Sequence, residues 1–319
     1  MKNHKHKLLT MSLLASSTVA AIHVINKCIN TSALIKNMLH KDAVESDIYH
    51  WKFGDIYYTK RGTGSPLLLI HDLTAFSNGQ EWCTLVESLS KKHTVYCLDL
   101  LGCGRSQKPQ ITYTNFLYVQ LLTDFTKEVI KERTDVAATG LSASFAIMTC
   151  LNNEDVFGKL MLINPTDLSV LNQIPTKQSK IAKFLLETPL IGTLIYNILT
   201  NKSTTELYFT ETAFYNPFHV NSTITDTYYE SAHTEKGRGK YLQASISGRY
   251  IYNNIAHALK KVNNSIFIVG GAKEEGIDAT MALYTSLNPS IESEKVDKSK
   301  HLPQLENPEK ILELMNIFF

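Results

Sequence analysis

Residues Asp135–Ile147 read DVAATGLSASFAI, and the fold turns on how this stretch is taken. DVAATG is a short run of small and β-branched residues with the pattern of a strand buried on both faces. SFAIMTCLNN, directly after it, has helical periodicity. The turn between them, Gly140-Leu141-Ser142-Ala143-Ser144, fits G-x-S-x-G except that Ser144 stands where the last glycine belongs. A strand that ends in a serine-bearing turn and enters a helix at once is the arrangement that exposes a nucleophilic hydroxyl at the edge of a parallel sheet.

The same rhythm extends in both directions. Short apolar runs at 66–72 (PLLLIHD), 93–100 (HTVYCLDL), 159–165 (KLMLINP) and 264–271 (NSIFIVGG) read as buried strands, and 291–296 (IESEKV) as a last one. Amphipathic segments such as YTNFLYVQLLTDFTKEVIKE separate them. Before them, IYHWKFGDIYYTKRG alternates polar and aromatic residues, as a pair of antiparallel edge strands does. Strands alternating with helices at this spacing specify an α/β fold, a mostly parallel, doubly wound sheet. From Thr166 to about Gly248 the alternation stops, and helix-like segments rich in aromatics, among them Phe184, Tyr208, Phe209, Phe214 and Tyr228, take over. The expected organisation is an N-terminal segment at 1–41, a core at 42–165 and 248–319, and a helical cap at 166–247.

Composition narrows the function classes. Charged residues make up 19% of the 319, and the formal net charge is +2, so nothing marks a nucleic-acid surface. The five cysteines form no C-x-x-C pair, and the eleven histidines show no ligand spacing. No metal site and no cofactor is expected. The Gly102-Cys103-Gly104 loop lacks the third glycine of a dinucleotide fingerprint and is followed by a loop, not a helix.

In an open parallel sheet, chemistry collects at the carboxyl ends of the strands. His71-Asp72, Asp99, Ser142, Glu274 and His301 all fall there. The chain order serine, acid, histidine, together with IHD, LDLLGCGRS, GLSAS, VGGAKEE and HLPQLENPE, resembles the alpha/beta-hydrolase superfamily, in particular its capped, single-domain esterase-like members. The resemblance spans about 48–319 and implies the alpha/beta-hydrolase fold with a helical cap insertion. It further implies a Ser-Glu-His triad, with Ser142 as nucleophile, His301 as general base and Glu274 orienting the imidazole. Glu275, Asp278 and Asp167 stand as other acids within reach of the same role. The resemblance implies backbone N–H groups of Leu73 and Ala143 as the oxyanion hole, each such donor being worth about 3 kcal/mol in the transition state. A serine at the elbow sets the chain apart from haloalkane dehalogenases and epoxide hydrolases, which carry aspartate there. Two residues depart from the pattern: Ser144 replaces the last elbow glycine, and Asp72 replaces the glycine that usually follows the strand-end histidine, placing a carboxylate beside the oxyanion donors.

The expected function is a serine hydrolase that forms an acyl-enzyme with a small-molecule carboxylester, or a thioester or amide, whose apolar portion rests on the cap aromatics. Asp72 and Ser144 motivate the alternative of a membrane-tethered, non-catalytic binding protein. Tethering is suggested by the N-terminus, where basic MKNHKHK precedes residues 8–26 without formal charge. A single-pass membrane anchor is the favoured reading, with the rest of the chain cytoplasmic. A signal peptide cleaved near Val19-Ala20-Ala21 and an amphipathic helix lying on the domain or the membrane are the other two. Lys2, Lys5 and Lys7 balance Lys27, Lys36 and Lys41, so charge gives no orientation. Oligomeric state is not written in the sequence.

Overall fold

A computed structural model describes residues 2–40 and 45–319; Lys41 and the expected boundary beside it lie outside them. Eight strands form one sheet: β1 (Ser46–Trp51), β2 (Gly54–Arg61), β3 (Ser65–Ile70), β4 (His93–Leu98), β5 (Thr134–Thr139), β6 (Phe157–Ile163), β7 (Ile266–Gly271) and β8 (Glu292–Val296). Their spatial order is β1-β2-β4-β3-β5-β6-β7-β8. β2 runs antiparallel to β1 and β4, and every other pair is parallel. This is the mostly parallel, doubly wound sheet that the alternating runs predict, and the alpha/beta-hydrolase fold that the resemblance implies.

The pleat explains the uninterrupted apolar strands. Leu68 and Ile70 of β3 pack with Val136 and Ala138 of β5 on one face, while Leu67, Leu69 and Ala137 pack with Trp82 and Met161 on the other. Successive side chains point to opposite faces, so a strand covered on both sides needs an apolar residue at each position. Helices α2 (Cys83–Leu89), α3 (Asn115–Phe125) and α4 (Ser142–Asn152) follow β3, β4 and β5 in the chain. β3 lies between β4 and β5, paired with the latter at Ile70↔Ala138. Winding reverses at this point, and the crevice outside the carboxyl ends of β3 and β5 is where such sheets bind ligands. The loops after residues 70 and 139 are thereby brought side by side.

Between β6 and β7 the chain is helical, including 177–187, 191–199 and 222–237. Several of its aromatics do not line a common pocket: Phe184 and Phe218 are exposed. Phe209, Phe214 and Tyr228 cluster instead with Leu302, beside His301, and with Phe76 of the β3 loop, so they roof the carboxyl edge.

The N-terminal helix α1 (Lys2–Ala33) contains the uncharged 8–26 stretch. Among the described residues no single helix is long and apolar enough to cross a membrane, so the expected single-pass anchor is not supported. Serine, threonine, histidine and asparagine dilute the run below what a span requires. α1 packs against the helices at 191–199 and 222–237. Asn26, buried, donates from Nδ2 to the Leu190 carbonyl at 3.0 Å and accepts from Asn197 Nδ2 at 2.9 Å.

Candidate active site

His301 follows β8 and Glu274 follows β7, and the two side chains meet: His301 Nδ1 lies 3.0 Å from Glu274 Oε1. The other acids are engaged elsewhere. Asp278 pairs with Lys295 at 2.8 Å, Asp167 caps the helix Leu168–Leu171, and Glu275 is exposed. Asn164, just after β6, holds both loops. Its Nδ2 donates to the carbonyls of Lys300 and His301 at 2.8 and 2.9 Å, and its Oδ1 accepts from Gly271 N at 2.9 Å. Its backbone sits at φ +42°, a left-handed conformation that asparagine tolerates better than most residues. The sequence offers Asn164 only as the Asn-Pro that closes a strand.

Ser142 is not brought to His301. Its Oγ donates to the His71 carbonyl at 2.7 Å, and the residue is fully buried at the start of α4. The expected Ser142–His301 hydrogen bond is absent because the sharp turn falls two residues earlier. Gly140, immediately after β5, carries the positive φ, +55°, that makes the strand-to-helix elbow. Thus Ala138-Thr139-Gly140-Leu141-Ser142 fills the pattern small-x-nucleophile-x-small with glycine at its centre, and Ser142 is the closing small residue. The expected oxyanion pair shifts accordingly. Ala143 N points to Gly140 O within the helix turn, and the amide that follows the elbow residue is that of Leu141.

The group that reaches His301 is Asp72. Its Oδ2 lies 3.1 Å from His301 Nε2. Its Oδ1 accepts from two backbone amides, Leu73 N at 2.7 Å and Leu141 N at 2.8 Å. The carboxylate lies where an elbow side chain would start: a Cβ placed on Gly140 would stand 2.2 Å from Asp72 Oδ1 and 2.4 Å from Cγ. The separation from aspartate-elbow enzymes drawn on Ser142 therefore lapses, since the elbow residue is Gly140.

Electrostatics follow from this crowding. Burial would raise the Asp72 carboxyl, but His301 and the Leu141 and Leu73 amides together hold it below its ordinary value. Burial would lower the His301 imidazole; the hydrogen bonds and charges of Asp72 and Glu274 outweigh it and raise the group to about 10. Behind Asp72, Glu81 is buried, accepts from Asp72 N and from Gln304 Nε2, and is pushed up to about 8 by burial and then by the Asp72 charge. These shifts favour an ionised Asp72, a protonated His301 and a protonated Glu81. His71 is structural: its Nδ1 donates to Asp72 O at 2.6 Å and its Nε2 accepts from Leu100 N at 3.0 Å, while burial lowers its pKa.

Residues 67–314 match the alpha/beta hydrolase family, and the chain belongs to it. Over 115 residues it is 24% identical to a 2-hydroxy-6-oxo-6-(2'-aminophenyl)hexa-2,4-dienoic acid hydrolase of Metapseudomonas resinovorans, a stretch that covers 35% of this chain and 40% of that protein. The chain thus matches well under half the length of this curated relative. Two similar solved structures are a serine hydrolase involved in carbazole degradation (TM-score 0.71, 16% identity, 86% of this chain and 97% of that one) and the epoxide hydrolase CorEH (TM-score 0.70, 18% identity, 86% and 98%). At these identities the likeness is one of fold.

Proposed function

We propose that the chain is a hydrolase of small electrophilic molecules with an apolar portion, working at the carboxyl edge between β3 and β5. In this reading His301 carries the proton and Glu274 holds its tautomer and orientation. The observation that supports it is the unbroken line Glu274–His301–Asp72, which ends on two convergent backbone amides beneath an aromatic roof. A merely structural histidine has no need of a carboxylate on one nitrogen and an anion cradled by amides on the other. An acyl-enzyme on Ser142, acting on carboxylesters, thioesters or amides, requires Ser142 Oγ to leave the His71 carbonyl and Asp72 to vacate both amides.

The test is a panel of esters, thioesters, lactones, epoxides and alkyl halides, assayed with the wild type and His301→Gln. Turnover of at least one class, lowered about 10²–10⁴-fold by the substitution, is the expected result. Turnover unchanged in His301→Gln would remove His301 from the chemistry. A second reading, a non-catalytic ligand-binding member of the family, is favoured by Gly140 at the elbow and by the filled amides. It is the one that stands if no substrate turns over while apolar ligands still bind.

A further inference from the structure

We propose that the helical region between β6 and β7 docks on an anionic lipid bilayer, laying the helices 177–187 and 191–199 in the membrane surface with their outward faces against the acyl chains. This docking is independent of the hydrolase reading above.

Both helices turn apolar residues outward. Ile181, Phe184 and Leu185 stand at i, i+3 and i+4 on the first, and Ile191 and Ile198 at i and i+7 on the second. All five are exposed, Phe184 by 68%. The opposite faces are packed: Ser179 and Leu186 are buried on the first helix, and Gly192, Tyr196 and Asn197 on the second. Single apolar residues on a surface are normal, but an apolar face carried on two successive helices marks an interaction surface.

The corner between the helices sets how that face meets a membrane. The stretches 177–187 and 191–213 together have the length and composition of a membrane span, but they are bent by 104° where they meet. A segment turned at that angle, with one side packed on the domain, lies in the surface and does not cross. The corner is firmly held. Buried Lys240 donates from Nζ to the Thr188 carbonyl at 2.9 Å and to Thr193 Oγ1 at 3.1 Å, so one side chain ties both sides of the break. Gly192 comes so close to the first helix that a Cβ on it would stand 2.2 Å from the Leu186 carbonyl oxygen. The face is thus preformed, and docking pays little for ordering it.

Charge selects the occupant. Residues 177–199 hold three lysines and one acid, Glu187, and that acid pairs with Lys183. Lys177 and Lys180 are exposed and extend the stripe of Ile181 and Phe184 by one turn. A second copy of this face would offer those lysines no free carboxylate. Anionic headgroups offer phosphates at the level that a lysine stem reaches when the neighbouring apolar side chains are sunk in lipid. The stretch 191–213 includes Tyr208 and Phe209, so the face on lipid and the roof over the carboxyl edge are one piece of chain.

The test is flotation of the full chain with vesicles of phosphatidylcholine alone and of a three-to-one mixture of phosphatidylcholine and phosphatidylglycerol. Wild type is compared with Ile181→Ser/Phe184→Ser/Ile198→Ser and with Lys177→Glu/Lys180→Glu, all at exposed positions, and folding of each is checked by circular dichroism. Expected is flotation of the wild type with the mixed vesicles, with a partition coefficient lowered at least about tenfold by either variant and lowered by high salt. Tryptophan emission of Phe184→Trp should also shift to the blue on adding mixed vesicles, and this arm and the lysine pair decide the matter if the serine variant does not fold. Flotation of the serine variant equal to wild type hands any binding to another surface, α1 included, and overturns the proposal. Binding indifferent to Lys177→Glu/Lys180→Glu and to salt, or no blue shift from Phe184→Trp, overturns it as well. So does a wild type that ignores vesicles, whether it sediments as a monomer or as a dimer that the serine variant dissociates; the dimer would make the face a contact between copies.

Discussion

At the scale of single residues the site is a bargain between positions 72 and 140. A side chain at 140 meets the Asp72 carboxylate at 2.2 Å and must also adopt φ +55°. Gly140→Ala should therefore lower stability by about 1–3 kcal/mol in urea unfolding, the left-handed backbone alone accounting for about 1–2. Removing the carboxylate relieves the clash but not the backbone strain. A double-mutant cycle with Asp72→Gly should thus show non-additivity beyond about 0.5 kcal/mol, where independent sites would add. The titrating groups give a second expectation. His301 holds its proton up to about 10 when folded and to about 6.5 when unfolded, so its contribution is complete below 6.5 and is lost as pH rises towards 10. Glu81 keeps its proton to about 8 against an ordinary value of 4.5, so stability falls again from pH 4.5 to 8 as the unfolded chain ionises first. Glu81→Gln should accordingly gain thermal stability relative to wild type between pH 5 and pH 8.5, and His301→Gln should flatten the decline from pH 7 to 10. Thermal unfolding across pH checks both.

At the scale of elements, the strands were legible because burial on both faces leaves an apolar signature that needs no partner to be recognised. His301 and Glu274 could be placed because each follows a strand, Glu274 the apolar β7 and His301 the polar edge strand β8, and strand ends converge. The elbow could not. G-x-S-x-G is matched on side chains, whereas the turn is fixed by where β5 ends and by which residue takes a positive φ. With glycine at the centre of Ala138–Ser142, the pattern slides two residues to the nearest serine. Asn164 and Glu81 escaped because their work is to brace loops far away in sequence, which no local spacing records. α1 reads as an anchor on length and neutrality, but among the described residues it is not apolar enough to span, and Asn26 packs it on the domain. Asn26→Ala takes away the acceptor for Asn197 Nδ2 and the donor to Leu190 O in a buried contact. A loss of about 1–3 kcal/mol is expected, seen as a drop in Tm of several degrees with catalytic parameters per folded molecule unchanged.

At the scale of the whole molecule, one sheet edge gathers residues 72, 140, 274 and 301 from four separate strand ends, and the helical region between β6 and β7 roofs them through Phe209, Phe214 and Tyr228. The β3 loop contributes Asp72 below and Phe76 above, so the segment that carries the charged group also meets the roof. The second anchor of the edge is the loop after β4. Asp99 accepts from Arg105 N and Nε at 2.8 and 2.9 Å and from Gly79 N at 2.6 Å, tying that loop to the one after β3. Arg105 Nη1 in turn donates to the Leu39 carbonyl at 3.0 Å, so the segment that follows α1 is fastened to the same scaffold.

The glycine at the elbow and the acid on the neighbouring loop have a historical corollary. Each bears on the other: a Cβ at 140 meets the Asp72 carboxylate where it lies in this structure, and glycine at both positions leaves the Leu73 and Leu141 amides without this acceptor. The two positions are therefore expected to change together. In any lineage that carries this chain's descendants or cousins, an acid at the first position and glycine at the second should be inherited as a unit and lost as a unit.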